Sequence, residues 1–171
     1  YNEALKNLRE RHFHVWEGGG EIHNVYMDAL LLRGIERMRK NQAAEALKDF
    51  QAALEYPENL EVAKPHLTGR DGQVWYYIGA AQAILGQDEA AKNAYLKAAL
   101  AKRSEKQDSL SFYTGMALLK LGRKGEAQPY FEGLIEAGNK LLQTEQEMDF
   151  FAKFGTKLSG QEREAQAHSL I

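Results

Sequence analysis

The chain has 171 residues, 44% hydrophobic and 27% charged, with a formal net charge of −2 from 22 basic and 24 acidic side chains. That length and balance suit one folded core or a repeat array and exclude wholesale disorder, while the near-neutral charge supplies no field for nucleic acid or an anionic membrane. Zero cysteines exclude disulfides and thiolate chemistry and point to a reducing, cytoplasmic setting; no apolar run approaches the roughly 18 residues of a membrane span, and the start carries no signal peptide.

Abundant Ala, Leu, Glu, Lys and Gln with only three prolines favour helix throughout. The first predicted helix covers about 2–11 and puts Leu5 and Leu8 on one face. Tyr1 already stands inside it, and the last helix, EREAQAHSLI, runs to Ile171, so both ends read as cut and the chain as a piece of a longer protein. Next comes HFHVWEGGGEIH, residues 12–23. His12, His14 and His23, with Glu17 or Glu21, are donors of the kind zinc takes, but no HExxH spacing or rigid frame supports them. The glycines lack the strand-to-helix setting of a phosphate loop. The plainer reading is a connector, in which the glycines permit a reversal, Trp16 plugs against the next hairpin and Asn24 caps the following helix. The other is a ligand-facing loop, with Trp16 stacking and Glu17 accepting hydrogen bonds.

Three hairpins follow. Helices are expected at about 25–40 and 43–56, 71–85 and 88–101, and 107–121 and 124–137, with turns at Asn41, Gly86 and Gly122. Pro129 falls about one turn into the last of these and is expected to kink it. Between the first two hairpins lies YPENLEVAKPHLTGRD, residues 56–71, whose polar groups either converge on a ligand or form a solvated loop. A broad connection is expected after Ala137.

The hairpins repeat one another. Twelve residues after Gly34, Gly79 and Gly115 stand Ala46, Ala91 and Ala127; four further on stand Phe50, Tyr95 and Phe131; three more bring Ala53, Ala98 and Leu134. Small residues such as Gly34 and Ala46 allow close helix approach, and the aromatic is expected to fill the space between successive hairpins. The pattern resembles the tetratricopeptide repeat (TPR), W-x2-L-G followed by A-x3-F-x2-A. The middle copy carries Trp75, Ile78, Gly79, Gly86, Ala91, Tyr95 and Ala98. The first copy departs with Leu30 and Arg33, the third with Ser111 and Thr114. The resemblance implies an all-α fold, a right-handed superhelical solenoid of antiparallel helix pairs in a single domain. Its repeats cover about 25–58, 71–103 and 107–138, with partial repeats at 1–11 and 160–171. Gly34 to Gly79 spans 45 residues and Gly79 to Gly115 spans 36, against about 34 in the plain repeat, so the excess gathers in enlarged connections along one edge.

By the same resemblance, the ligand-facing surface lies on the first helix of each pair. It includes Leu31, Ile35, Met38, Tyr76, Phe112 and Met116, with Asp28, Gln73 and Ser109 at its start and Arg39, Ile84 and Lys120 at its end. The surface is apolar, suited to a helix or a neighbouring domain. It lacks the lysine and asparagine set with which some TPR domains clamp a chaperone's terminal carboxylate. A second, narrower resemblance rests on W-E-G-G, YPENL and LLKLG. It is to the C-terminal helical region of a bacterial family of unknown function, in which a β-sandwich similar to galactose mutarotases comes first. It singles out Trp16, Glu17, Gly18 and Gly19 and Tyr56 to Leu60, implies a carbohydrate-related role, and transfers no catalytic residue.

No nucleophile–base–acid constellation is visible, and no residue is assigned to catalysis, a cofactor or a metal. The leading expectation is a non-catalytic scaffold that binds a protein segment or its own N-terminal domain. The alternative is an accessory helical domain of a carbohydrate-active protein, with a loop edge of His14, Trp16, Glu17, Glu58, Asn59, Lys64 and Arg70 facing the sugar.

Overall fold

The computed structural model describes residues 1–14, 21–63, 70–101 and 109–143, together with 165, 168 and 169. Among these residues are seven α-helices: α1 (Asn2–Glu10), α2 (Ile22–Arg39), α3 (Ala43–Ala52), α4 (Arg70–Ile84), α5 (Asp88–Leu100), α6 (Ser111–Lys120) and α7 (Lys124–Gln143). A 3₁₀ turn at Glu58–Leu60 interrupts the α3–α4 connection. Packing is sequential: α2 with α3, α4 with α5 and α6 with α7 form pairs, α3 with α4 and α5 with α6 join the pairs, and α1 lies on α2. α4 also touches α6, so two successive first helices are neighbours.

All three expected turns are built alike. Asn41, Gly86 and Gly122 have φ of 59°, 71° and 77°. After each, the next residue reaches back to the helix: Gln42 N–H donates to the Arg37 carbonyl, Gln87 to Gln82 and Arg123 to Leu118, each at 2.9 Å. This is the Schellman closure, in which a left-handed residue lets the chain satisfy the last carbonyls. Asparagine serves in the first copy because its side chain tolerates that conformation better than others.

The glycine–aromatic register is a packing register. A Cβ on Gly34 falls 2.3 Å from the Phe50 ring, one on Gly79 2.8 Å from Tyr95, and one on Gly115 2.8 Å from Phe131. Each aromatic therefore sits on the glycine of its own hairpin, which corrects the expectation that it chiefly fills the gap to the next. Phe50 does both, stacking on Tyr77 of α4 with centroids 5.3 Å apart. One buried cluster gathers Leu5, Leu8, Met27, Leu30, Phe50 and Val74, and a second Tyr95, Ala98, Ala117, Leu118 and Tyr130. Trp75 packs against both.

The first repeat's departure at Arg33 has a buried counterpart. Arg33 Nε and Nη2 donate to the two Asp49 oxygens at 3.0 and 2.6 Å, and Arg37 Nη1 adds a third bond at 2.7 Å. Asp49 is 3% exposed. In the repeat register the same two positions are Ile78 with Ala94 and Thr114 with Tyr130, so an ion pair replaces packing that is apolar in the second copy.

Several boundaries differ from expectation. α3 ends at Ala52 rather than near 56, because the chain tightens into i→i+3 bonds, Leu54 to Gln51 and Glu55 to Ala52, and His23 then takes the Glu55 carbonyl. α6 begins at Ser111 rather than 107. α7 runs through to Gln143, so the stretch just after Ala137 is helix. It also passes Pro129 without interruption, although proline has no N–H for the Gly125 carbonyl. Asn24 is not a cap: α2 starts at Ile22 with Glu21 in the cap position, and Asn24 donates to the Glu21 carboxylate from inside the first turn.

Candidate functional site

Two regions collect the residues singled out in the sequence. The first is the face formed by α2, α4 and α6, whose apolar residues are covered on α2 and partly open on α4 and α6. Leu31 is 2% exposed and belongs to the core with Leu5, Leu8 and Met27, because α1 packs on α2. It is therefore removed from the ligand-facing set. Ile35 and Met38 are half-buried against the same core. Tyr76 and Met116 are half-buried, and Tyr76 is surrounded by the rings of Tyr77, Tyr95 and Tyr113 at 5.5, 5.9 and 5.8 Å. Phe112, Leu119 and Ile84 are exposed, at 43%, 39% and 65%.

At the start of this face is a cavity of about 580 Å³, walled by Asp28, Arg70, Gln73, Ser109, Phe112 and Tyr113, with Leu110 and Ser169 at its edge. Arg70 comes from the expected loop edge but is the first residue of α4, and it faces the groove. Its guanidinium donates to the Asp28 carboxylate and, at 3.2 Å, to Asn24 Oδ1. Gln73 Nε2 donates to the Tyr113 hydroxyl at 2.8 Å. Burial pushes the Tyr76 and Tyr77 hydroxyls above the usual phenol range, and in Tyr77 a hydrogen bond with Tyr113 adds to the effect. Both stay protonated at neutral pH and serve as hydrogen-bonding groups, not as bases. Tyr113 was not singled out in the sequence. Its signal is the 36-residue register that pairs it with Tyr77, the same spacing that relates the glycines.

The second region joins the two enlarged connections. Asn59 Nδ2 donates to the carbonyls of Leu8 and Arg11, at 2.8 and 2.7 Å, and the Asn59 carbonyl accepts from Phe13 N–H at 2.8 Å. The side chain thus works as a clasp holding the exit of α1 against the 3₁₀ turn, which places the two connections side by side as expected. His12 and His14 are exposed, and His12 Nε2 meets Glu61 Oε1 at 2.7 Å. Glu58 is exposed. His23 is separate from them: 4% exposed, it stacks on Tyr56 at 3.6 Å and its Nε2 donates to the Glu55 carbonyl at 2.9 Å. It fixes the start of α2 against the end of α3, so it is no ligand in a set with His12 and His14. Trp16, Glu17, Gly18, Gly19 and Lys64 lie outside the described residues, and with them the question of whether Trp16 packs inward or meets a ligand.

No helix among the described residues is long and apolar enough to cross a membrane. No family model matches the chain, and no solved structure matches it.

Proposed function

We propose that the chain is a TPR-like solenoid acting as a non-catalytic scaffold, and that the face of α4 and α6 binds a protein segment. The observation that carries this reading is the pairing of exposed Ile84, Phe112 and Leu119 with the cavity beside Phe112. An apolar strip next to a polar recess suits an amphipathic helix or extended peptide, whose anchor side chain enters the recess. Arg39 and Lys120, both exposed, stand at the last turns of α2 and α6, so acidic residues flanking the anchor complement the surface. Arg70 and Asp28 already neutralise one another, which favours an uncharged anchor in the recess itself.

The test is a photocrosslinking residue in place of Phe112, with one in place of exposed Leu100, at the end of α5, as a control. Crosslinks from position 112 to one defined segment of another protein, lost on Leu119→Asp while the helical circular dichroism is kept, are the expected result. Crosslinks only to residues 160–171 of the same molecule, whose Ser169 edges the cavity, would show the face to be filled from within and end the external-partner reading.

A further inference from the structure

We propose that His12, His14 and Glu61 form a binding site for a divalent first-row transition metal ion of the zinc type, at the clasp between the two enlarged connections. Arg11 leaves α1 in extended conformation, φ −97° and ψ 146°. In an extended chain alternate side chains share a side, and the next three residues follow that rule: His12 and His14 are exposed, whereas Phe13 turns inward against the core. The third donor comes from the other connection. Glu61 closes the 3₁₀ turn in the left-handed region, φ 49° and ψ 29°, a conformation that disfavours residues with a Cβ.

The three donor atoms lie within 4.8 Å of one another, and His12 Nε2 and Glu61 Oε1 are 2.7 Å apart. Zinc takes imidazole nitrogen and carboxylate oxygen at roughly 2.0–2.2 Å, so a shared ion needs donor separations of roughly 3–4 Å. Small side-chain rotations bring the set to that range, with the His12–Glu61 hydrogen bond exchanged for two bonds to the metal. Two imidazoles exclude calcium and magnesium, which prefer all-oxygen shells, and select zinc, copper, nickel or cobalt. Backbone support is already in place, since the Asn59 clasp holds the histidine segment and the glutamate turn with three hydrogen bonds. Three protein donors leave a fourth position open to water, and the exposure of all three residues gives it access.

The experiment is a calorimetric titration of the untagged full chain with Zn2+, repeated with Co2+ and read by visible absorption. One equivalent is expected to bind, with a rise in melting temperature because the ion ties α1 to the turn before α4. His14→Gln and Glu61→Gly each weaken binding by at least about tenfold; Glu61→Gly removes an exposed side chain with its carboxylate and suits the left-handed backbone, so it keeps the fold. His66→Gln and His168→Gln leave affinity unchanged. Absence of a one-equivalent transition in the wild type, wild-type affinity in both ligand variants, or an equal loss in His66→Gln would overturn the proposal.

Discussion

Arg33 and Asp49 show how one residue's meaning depends on its partner. Arg33 stands where the repeat pattern wants an apolar residue, and in sequence it reads as a lapse. In the fold it is half-buried and its fork closes on a carboxylate that is almost wholly buried, with Arg37 as a second donor. Removing Asp49 leaves two half-buried guanidiniums without their shared acceptor, so Asp49→Ala is expected to cost about 1–3 kcal/mol in denaturant unfolding. Replacing both, as Arg33→Ile with Asp49→Ala, reproduces the Ile78–Ala94 pair of the second copy and is expected to recover most of that loss. A double variant no more stable than Asp49→Ala would show that the pair is more than a substitute for packing. The partner was not legible beforehand, because a helix-face aspartate sixteen residues away looks in sequence like any solvated carboxylate.

At the scale of elements, the hairpin was the most legible unit. Its turns and its two helices follow from short-range spacing, whereas the glycine–aromatic contact inside each hairpin was expected between hairpins instead. The same contact predicts a contrast between glycines. A Cβ on Gly34 meets the ring of Phe50, which is fully buried and stacked on Tyr77, and so has nowhere to move. Gly34→Ala is therefore expected to lose about 2–3 kcal/mol in thermal or denaturant unfolding. Gly125, in the first turn of α7, has open space around its Cβ direction. Gly125→Ala is expected to be neutral or to gain up to about 1 kcal/mol, from helix propensity alone. Equal effects from the two would mean that the close approach of α2 and α3 does not limit the first hairpin.

Across the whole molecule, the two buried clusters differ in kind. The one around α1 to α4 holds large side chains such as Phe50, Met27 and Leu30; the one around α5 to α7 is built mainly on alanines with Tyr95 and Tyr130. Trp75 touches both, and Lys97 Nζ lies 4.0 Å from its ring centre. Where each pair contacts only its neighbours, stability is a sum of local terms and coupling terms. Trp75→Ala is expected to cost about 3 kcal/mol and to make amides of α6 and α7 exchange at lower free energy than those of α2 and α3. A uniform loss of protection along the chain would show that the coupling runs elsewhere.

The sequence by itself determined the all-helical class, the three hairpins with their turns, and the apolar line on the first helix of each pair. These are local properties, set by spacings of a few residues that repeat. Only the tertiary structure decided which parts of that line remain open, since Leu31 is buried in the core with Leu5 and Leu8 of α1 while Phe112 stays 43% exposed. It also decided what the enlarged connections hold. His12 finds Glu61, Arg33 finds Asp49 and Arg70 finds Asp28 at separations of 16 to 49 residues, and His23 leaves its neighbours in sequence for Tyr56. Contacts of that range depend on where whole helices settle when their apolar faces are buried. HFHVWEGGGEIH is therefore divided by the fold: its first histidine pairs with Glu61, and its last becomes a buried joint.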